Sequence, residues 1–253
     1  MGVEDEPREE LLGLVRSLTE RVRLDGELRK PLGYLSRGKG DIQMPVATAP
    51  ETAVERSGVE VSALDPVLAE LGDCRRCPLG ALRRRLVFGE GNPGAELVFV
   101  GEAPGADEDA QGRPFVGRAG QLLTKIIAAM GLKREDVYIC NILKDRPPNN
   151  RTPNTEEMNA CSPLLERQLA MLHPKIIALL GNTSIKYAIG PDAPGITKIH
   201  GQWFTSIFGI PCMPLYHPSY LLRYQARTTG SPNWQMWQDI QTLKKRYDEL
   251  CGA

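Results

Sequence analysis

Residues 98–123 read VFVGEAPGADEDAQGRPFVGRAGQLL, and this stretch decides the fold. An apolar run ends at Gly101, a loop rich in glycine, proline and acidic residues follows, and a segment with helical spacing comes next. Open α/β sheets bind their ligands in loops at the C-terminal ends of strands. The stretch therefore predicts a strand, a ligand-binding loop and a helix, in that order.

The loop carries four side chains that can do chemistry: Glu102, Glu108, Asp109 and Phe115. Carboxylates handle a proton or a cation, backbone N–H groups bind an anion, and an aromatic face stacks on a planar ring. A tight surface turn with solvated acids is the alternative interpretation. Within the loop, we expect Asp109 to cap the turn that follows it.

From about residue 61 onward, short apolar runs alternate with helical patterns. The predicted strands are residues 97–100, 137–142, 175–180 and 211–215, and the predicted helices lie at about 118–130, 155–172, 182–189 and 233–250. Such an alternation is typical of a parallel sheet covered on both faces. The sequence therefore predicts an α/β fold, a three-layer αβα sandwich with a four-stranded parallel sheet.

The first 60 residues differ in pattern from the rest. Leucines and valines at helical spacing predict an amphipathic helix over residues 9–27. The Gly-, Pro- and Ala-rich composition of residues 31–60 predicts a flexible linker. We therefore expect an N-terminal helical extension in residues 1–60 and one globular domain in residues 61–253. The sequence leaves open whether the helix docks on that domain, binds a protein partner or stays unattached.

The composition is that of an ordinary soluble globular protein, with 42% hydrophobic and 25% charged residues among 253. Its apolar runs are too short to span a bilayer, so we expect no membrane partner. The acidic N-terminus lacks the basic start and apolar core of a secretion signal, which predicts a cytoplasmic location. There, the six cysteines are expected to be thiols or metal ligands rather than disulfides.

The net charge is zero, but it is unevenly distributed. Residues 1–70 hold 14 acids and 9 bases, a net charge of −5, which leaves +5 for the rest of the chain. Five arginines stand close together, at positions 75, 76, 83, 84 and 85. This density suits contacts with nucleic-acid phosphates, and a solvated charged face is the alternative.

The cysteines form one close pair with two distant companions. Cys74 and Cys77 have C-x-x-C spacing, and Cys140 and Cys161 follow. A lone C-x-x-C is ambiguous between redox, zinc and iron–sulfur roles. A redox pair would stand at the start of a helix just after a strand, and no strand is predicted before Cys74. We therefore predict that Cys74 and Cys77 ligate a metal.

Four motifs carry a resemblance to a known family: GEAPG at 101–105, GRPFVG at 112–117, NILKDRPP at 141–148 and YHPSYLLR at 216–223. Over about residues 70–250, the chain resembles the family 4 uracil-DNA glycosylases, the iron–sulfur members of their superfamily. The resemblance implies a four-stranded parallel sheet in an αβα sandwich and a [4Fe-4S] cluster. It also implies hydrolysis of the N-glycosidic bond of deoxyuridine in DNA.

The resemblance further implies a uracil pocket. Glu102 and Ala103 would line it, and Phe115 would stack on the flipped base. Asn141 would read the base edge with its side-chain amide, and His217 would face the uracil O2. Selection against cytosine needs a donor for O4 and an acceptor for N3–H, and a single amide supplies both.

Two kinds of catalytic side chain are expected in this pocket. Cleavage leaves negative charge on the uracil ring, which a hydrogen bond from His217 to O2 would stabilise as it develops. A buried structural histidine is the alternative. A carboxylate should orient the water that attacks C1′, and we expect Glu102 in this role, with Glu108 as the second candidate.

The segment after His217 is expected to contact DNA. A stacked deoxyuridine is out of reach, so the base must be extruded from the duplex. Leu221 and Leu222 are predicted to wedge into the vacated space, and core packing of both is the alternative. Arg223 is expected near a phosphate, and Ser219 with nearby backbone N–H groups is expected to hold phosphate.

The family's cluster ligands match this chain at Cys74, Cys77 and Cys161, but not at the remaining position. The resemblance places a cysteine there, in the motif KCRPP, and this chain has Asp145. Three interpretations stay open. Asp145 ligates iron through an oxygen, which is our first choice, or Cys140 replaces it, or the site holds a three-iron or labile cluster. An oxygen donor suits iron–sulfur chemistry less well than a thiolate does.

Together these features predict a monofunctional, monomeric uracil-DNA glycosylase that acts on uracil in single- or double-stranded DNA and initiates base-excision repair. No lysine stands at an evident nucleophile position in the motifs, so we expect no lyase activity. The alternative is a non-catalytic or covalently trapping uracil-DNA binding protein. Related covalent binders carry a basic loop that ends in histidine, KRRIH, and the corresponding interval here, residues 149–154, contains no histidine.

Overall fold

The computed structural model describes residues 64–224, 226 and 228–252. The predicted helix at residues 9–27 and the predicted linker at residues 31–60 lie outside the described residues. The domain boundary at residue 60 therefore stays a prediction.

The centre of the fold is a sheet of four parallel strands with two short strands at its edges. In chain order the strands are β1 (Glu90–Gly91), β2 (Leu97–Gly101), β3 (Tyr138–Asn141), β4 (Ile176–Leu180), β5 (Phe204–Thr205) and β6 (Pro211–Leu215). Their order across the sheet is β1-β3-β2-β4-β6-β5. The strands β3, β2, β4 and β6 run parallel, which confirms the four predicted central strands.

The two edge strands differ from the sequence prediction. β1 pairs antiparallel with β3, and β5 pairs antiparallel with β6. Each has only two residues, too few for any hydrophobic period to be recognised. The sheet therefore has six strands within the described residues, where the sequence predicted four.

Eight α-helices surround this sheet in the described part of the chain. They are α1 (Asp65–Leu71), α2 (Ala106–Gln111), α3 (Arg118–Ala129), α4 (Thr155–Leu172), α5 (Asn182–Ala188), α6 (Ile196–Ile199), α7 (Pro218–Leu221) and α8 (Pro232–Cys251). The four helices predicted from the sequence correspond to α3, α4, α5 and α8 and agree within one residue at each end. No helix in the described residues is long and apolar enough to span a bilayer.

Two hydrophobic cores lie on opposite faces of the sheet. Alternate residues of β2 point to opposite sides, so Val98 and Val100 belong to one core and Leu97 and Phe99 to the other. The first core packs against α4 and α5, and the second packs against α3 and α8. This arrangement confirms the three-layer αβα sandwich.

The parallel strands bring several loops to one edge of the sheet. Gly101, the last residue of β2, is in register with Asn141, the last residue of β3. Gly181 follows β4, and His217 follows β6 by two residues. Because these strands run in the same direction, the polar residues at their C-terminal ends meet at this edge.

Candidate active site

A cavity of about 620 Å³ opens at the C-terminal edge of the sheet. Every residue that the resemblance implied for uracil binding lies in its wall. The lining consists of residues 102–108, 117–119, 150–152 and 180–183 together with Phe115, Asn141, Pro147, His217 and Ser219.

The floor of the cavity depends on a glycine at position 101. A Cβ atom built on Gly101 would lie 2.6 Å from Cζ of Phe115 and would also overlap Oδ1 of Asn141. Real Cβ atoms essentially never approach other heavy atoms closer than 3.0 Å. The missing side chain therefore lets the Phe115 ring and the Asn141 amide meet above the end of β2.

Asn141 has an unsatisfied side-chain oxygen. The residue is only 2% exposed. In the described part of the chain, Asn141 Oδ1 is the one buried side-chain nitrogen or oxygen that lacks a hydrogen-bond partner. A buried acceptor without a donor costs about 1–3 kcal/mol. An oxygen kept unpaired in a cavity wall fits a ligand that carries its own N–H donor.

Phe115 is held in an unusual backbone conformation. Its φ angle is +50°, in the left-handed region that bulky residues avoid. The guanidinium of Arg134 donates to the Phe115 carbonyl oxygen at 3.1 Å and helps to hold this conformation. The buried ring lies 5.7 Å from the His217 ring between centroids, with the two planes tilted by 37°. The loop thus aims an aromatic ring at the cavity at the expense of some backbone strain.

Glu108 fixes the loop that carries Phe115. Its Oε1 accepts from the backbone N–H groups of Val116 at 2.8 Å and Gly117 at 2.9 Å, and its Oε2 accepts from that of Gly105 at 3.1 Å. A carboxylate that satisfies three backbone donors holds both ends of the loop. This geometry favours a loop-holding role over the water-positioning role for which Glu108 was the second candidate.

The sequence suggested that Asp109 caps the turn after it, but the structure gives this residue a different partner. The residue is buried, and Oδ1 accepts from the backbone N–H of Arg84 at 2.8 Å. It therefore ties α2 to a segment 25 residues earlier in the chain. The acidic spacing of the loop contained no sign of this distant partner.

Glu102 has a partner that the sequence did not reveal. The hydroxyl of Thr183 donates to Oε2 of Glu102, and both residues line the cavity. Thr183 stands in α5, just after the C-terminal end of β4. Its place three residues after a central strand, at the same edge of the sheet as Glu102, was the signal available. The hydroxyl fixes the direction in which this half-buried carboxylate points.

His217 is held as a neutral imidazole with a defined tautomer. Burial lowers the pKa of its side chain to about 4, and the charge of Glu108 opposes this shift. Its Nδ1 accepts from the backbone N–H of Ser219 at 3.1 Å and lies 2.7 Å from the Ser219 hydroxyl. Since a backbone N–H can only donate, the ring proton must be on Nε2. His217 therefore presents one N–H donor from Nε2. Ser219 therefore orients this ring, and its predicted phosphate contact stays a prediction.

The two adjacent leucines after His217 lie in different environments. Leu221 is 3% exposed and packs into the second core, whereas Leu222 is 38% exposed. Leu221 thus follows the alternative interpretation of core packing. Leu222 and the exposed Arg223 remain the residues of this segment that can reach DNA.

Cys74, Cys77 and Cys161 all contribute to the first core. Cys161 is a buried member of it, and the half-buried Cys74 and Cys77 pack against it. Burial raises the pKa of the Cys161 thiol to about 11, and nearby Asp145 and Cys77 add to this rise. Among the described residues, no three His, Cys, Asp or Glu side chains stand close enough together to hold one metal ion. These side chains thus form no ready-made site for a single ion.

Asp145 is the buried partner of an arginine. Both of its oxygens accept from Nη1 of Arg83, at 3.0 and 3.1 Å, and both side chains are almost fully buried. The same Nη1 donates to the carbonyl oxygen of Cys74 at 2.7 Å. Arg83 therefore links the C-x-x-C segment to the loop after β3. The carboxylate at the fourth ligand position that the resemblance implied is therefore already paired with a cation.

Cys140, the other candidate for the fourth ligand, lies in a central strand. Cys140 is fully buried in β3, where burial raises its pKa.

One of the five clustered arginines cannot contact phosphates as the charge pattern suggested, because the Arg83 side chain is only 6% exposed. The other four arginines of that cluster are exposed.

The sequence model of the Uracil DNA glycosylase superfamily matches residues 88–241. Several curated relatives are named type-4 uracil-DNA glycosylase. That of Thermotoga maritima is 49% identical over 150 residues, covering 59% of this chain and 78% of the relative. That of Sulfurisphaera tokodaii is 46% identical over 195 residues, covering 74% and 89%. That of Archaeoglobus fulgidus is 39% identical over 198 residues, covering 76% and 95%.

Proposed function

The chain belongs to the Uracil DNA glycosylase superfamily, and on that premise we propose that it is a monofunctional uracil-DNA glycosylase that initiates base-excision repair. Its reaction is hydrolysis of the N-glycosidic bond of deoxyuridine extruded from DNA. The observation that carries the proposal is the unpaired Oδ1 of Asn141 in the wall of a cavity that also presents an aromatic ring and an N–H donor.

Recognition of the base falls to Asn141 and Phe115. The Asn141 Oδ1 accepts from uracil N3–H, and the Nδ2 group of the same amide donates to O4. Cytosine presents an acceptor at N3 and a donor at its exocyclic amine, so both hydrogen bonds fail for it. The Phe115 ring stacks on the flipped base.

Stabilisation of the leaving group falls to His217. Negative charge develops on uracil as the bond to C1′ breaks, and the Nε2–H of a neutral imidazole donates to O2. The donor is already oriented by Ser219, so little reorganisation is needed during the reaction. The pKa of about 4 keeps the ring neutral throughout the physiological range.

Activation of water falls to Glu102. Its carboxylate lines the cavity, and its direction is set by Thr183. A carboxylate there orients the water that attacks C1′ and stabilises positive charge on the sugar. Glu108, whose oxygens hold backbone N–H groups, supports the loop.

On the DNA side, the exposed Leu222 fills the space left by the extruded base, and Arg223 lies near the backbone phosphates. The exposed arginines at 75, 76, 84 and 85 add positive charge that favours DNA.

We also propose an iron–sulfur cluster held by Cys74, Cys77 and Cys161. When bound, the cluster supplies a cross-link between the N-terminal part of the domain and α4, and it takes no part in hydrolysis. Support comes from three thiols that belong to or pack against the same core, with Cys77 close enough to Cys161 to raise its pKa. The Asp145 carboxylate stays with Arg83 in this proposal, so of the interpretations that the sequence left open we favour the three-iron or labile cluster.

The cluster is tested by colour and metal content. Purified protein should be brown, with absorbance near ~400 nm from thiolate-to-iron charge transfer. Cys74→Ala and Cys161→Ala should each lose colour and iron. A colourless protein with stoichiometric zinc would refute this part of the proposal.

The activity is tested on a labelled oligonucleotide with one uracil, treated with alkali to break abasic sites. Strand cleavage should require alkali, because a monofunctional enzyme leaves the abasic site intact. A matched oligonucleotide with cytosine should stay uncut. Tight binding without base release would support the binding-protein alternative, and a band that survives denaturation would indicate covalent trapping.

A further inference from the structure

Lys144 is a fully buried lysine directly behind the candidate uracil pocket. Its exposed fraction is 0%, which is rare for a lysine. It lies in the loop after β3, three residues beyond Asn141. Its Nζ donates to the Asn141 carbonyl oxygen at 2.7 Å and to Oε1 of Gln168 at 2.5 Å. Both side-chain hydrogen bonds of this lysine are thus made to uncharged oxygen atoms in the core.

Gln168 makes this arrangement rigid. It is also fully buried, and its Nε2 donates to the Phe88 carbonyl oxygen at 3.0 Å and contacts the Tyr138 hydroxyl at 3.4 Å. These contacts fix which end of the Gln168 amide is the acceptor, so Oε1 faces Lys144. The backbone of Lys144 is held as well, because its N–H donates to Sγ of Cys161 at 3.2 Å and its carbonyl accepts from Val87 at 3.0 Å.

The effect of these bonds reaches Asn141 through its backbone. Its carbonyl is held by Lys144, and the next N–H, that of Ile142, donates to the Gly101 carbonyl oxygen at 3.0 Å. The peptide plane after Asn141 is therefore fixed from both of its polar ends. Because the side chain leaves from the same Cα, this plane determines where the Asn141 amide stands beside a flipped base.

The position of that amide decides which base is read. Uracil offers a donor at N3 and an acceptor at O4, whereas cytosine offers the opposite pattern. An amide that shifts or turns over would lose uracil or accept cytosine. Hydrogen bonds at the reacting geometry tolerate little displacement, since about 1 Å of misplacement can lower a rate by about 10²-fold.

We propose that Lys144 is a positioning residue for uracil recognition, which acts by holding the backbone of Asn141 in place. This inference rests on the proposed glycosylase function and adds to it a residue that contacts no substrate. The hydrogen bond to the Asn141 carbonyl oxygen needs only an N–H donor at Nζ, and both the protonated and the neutral amine provide one.

The test is a double-mutant cycle with Lys144→Met and Asn141→Ala, measured as single-turnover uracil release. In the wild-type background, Lys144→Met should lower the rate by about 10-fold to 100-fold. In the Asn141→Ala background, the same change should lower it by less than about 3-fold, since the amide that it positions is gone. The ratio of cytosine release to uracil release should rise in Lys144→Met alone.

A purely structural lysine predicts different results. Lys144→Met would then reduce the folded fraction, followed by near-UV circular dichroism, and would lower the rate by the same factor in both backgrounds. Equal factors, or an unchanged rate in the wild-type background, would overturn the inference. Met has a similar length and fills the same space, so we expect the variant to fold with lower stability, because two buried acceptors lose their donor.

If Lys144→Met does not fold, Gln168→Leu replaces it in the cycle. This change removes the second acceptor of Nζ, and the loss of rate should be smaller but should again vanish with Asn141→Ala. The outcome is separable from that of the proposed function. A wild-type protein that releases no uracil refutes the function. If the wild type is active but the substitution lowers the rate by the same factor with and without Asn141→Ala, only the role of Lys144 is refuted.

Discussion

Replacing His217 with alanine removes one hydrogen-bond donor from the pocket, and two measurements should register its loss. The structure assigns a single N–H to the cavity side of this ring, because Nδ1 is an acceptor for Ser219. Loss of one donor to a developing anion costs about 2.7–4 kcal/mol. We therefore expect single-turnover uracil release to fall by about 10²-fold to 10³-fold.

Binding should respond differently from the rate. The negative charge on uracil appears only near the transition state, so the Kd for uracil-containing DNA, measured without turnover, should change little. Ser219→Ala keeps the backbone donor to Nδ1 and should cost much less than His217→Ala. His173→Asn is a matched control, because His173 is exposed and has a φ of +49°, a conformation that asparagine tolerates.

The same substitution should change the pH dependence of stability. The His217 pKa falls from an ordinary 6.5 to about 4 on folding, so the unfolded chain binds more protons between these values. Wild-type stability should therefore decline as the pH falls from 6.5 to 4, by about 3 kcal/mol from this group. In His217→Ala this part of the decline should be absent in urea unfolding at each pH. Equal losses of rate and of DNA binding, with an unchanged pH profile, would refute the role and the protonation state together.

Further substitutions test the rest of the site. Asn141→Ala should reduce uracil release with the fold intact, and unchanged rates on U·G duplexes would remove it from recognition. Phe115→Ala should weaken uracil binding by about 1–3 kcal/mol through lost stacking, as measured by competition with free uracil. Asp145→Ala should destabilise the protein by about 1–3 kcal/mol in urea, because it removes the buried acceptor of Arg83 Nη1 and leaves the guanidinium with the exposed Asp73 carboxylate, with iron content unchanged. Loss of iron would instead identify Asp145 as a ligand, and Asp145→Cys should then bind iron at least as well. Leu222→Ala should slow release from duplex DNA more than from single strands, whereas Leu221→Ala should mainly lower stability.

The sequence was sufficient for those parts of the fold that depend on local pattern. Apolar runs such as Ile176–Leu180 and helical spacing within Thr155–Leu172 are visible in any window of the right length. The pocket residues were implied by the resemblance of four motifs to a known family, and the structure brings them together because those motifs follow the ends of parallel strands. Such motifs carry both the position and the chemistry of the side chain.

What the sequence could not predict depends on partners far away in the chain. Arg83 and Asp145 are 62 positions apart, and Thr183 and Glu102 are 81 apart. Nothing in either local segment indicates these pairs. The burial of Leu221 was missed for another reason, since the neighbours Leu221 and Leu222 on a short helical turn differ in burial only once the turn is packed. Only the folded chain decides which of the two faces the core.

The unpaired oxygen of Asn141 has a consequence for the finished reaction. The groups that read the base contact the pyrimidine and not the sugar, so free uracil satisfies them as well as deoxyuridine does. The product therefore relieves a desolvation penalty that the empty protein carries. Free uracil should raise the melting temperature through this linkage and should compete with the substrate. We therefore expect turnover to slow as free uracil accumulates.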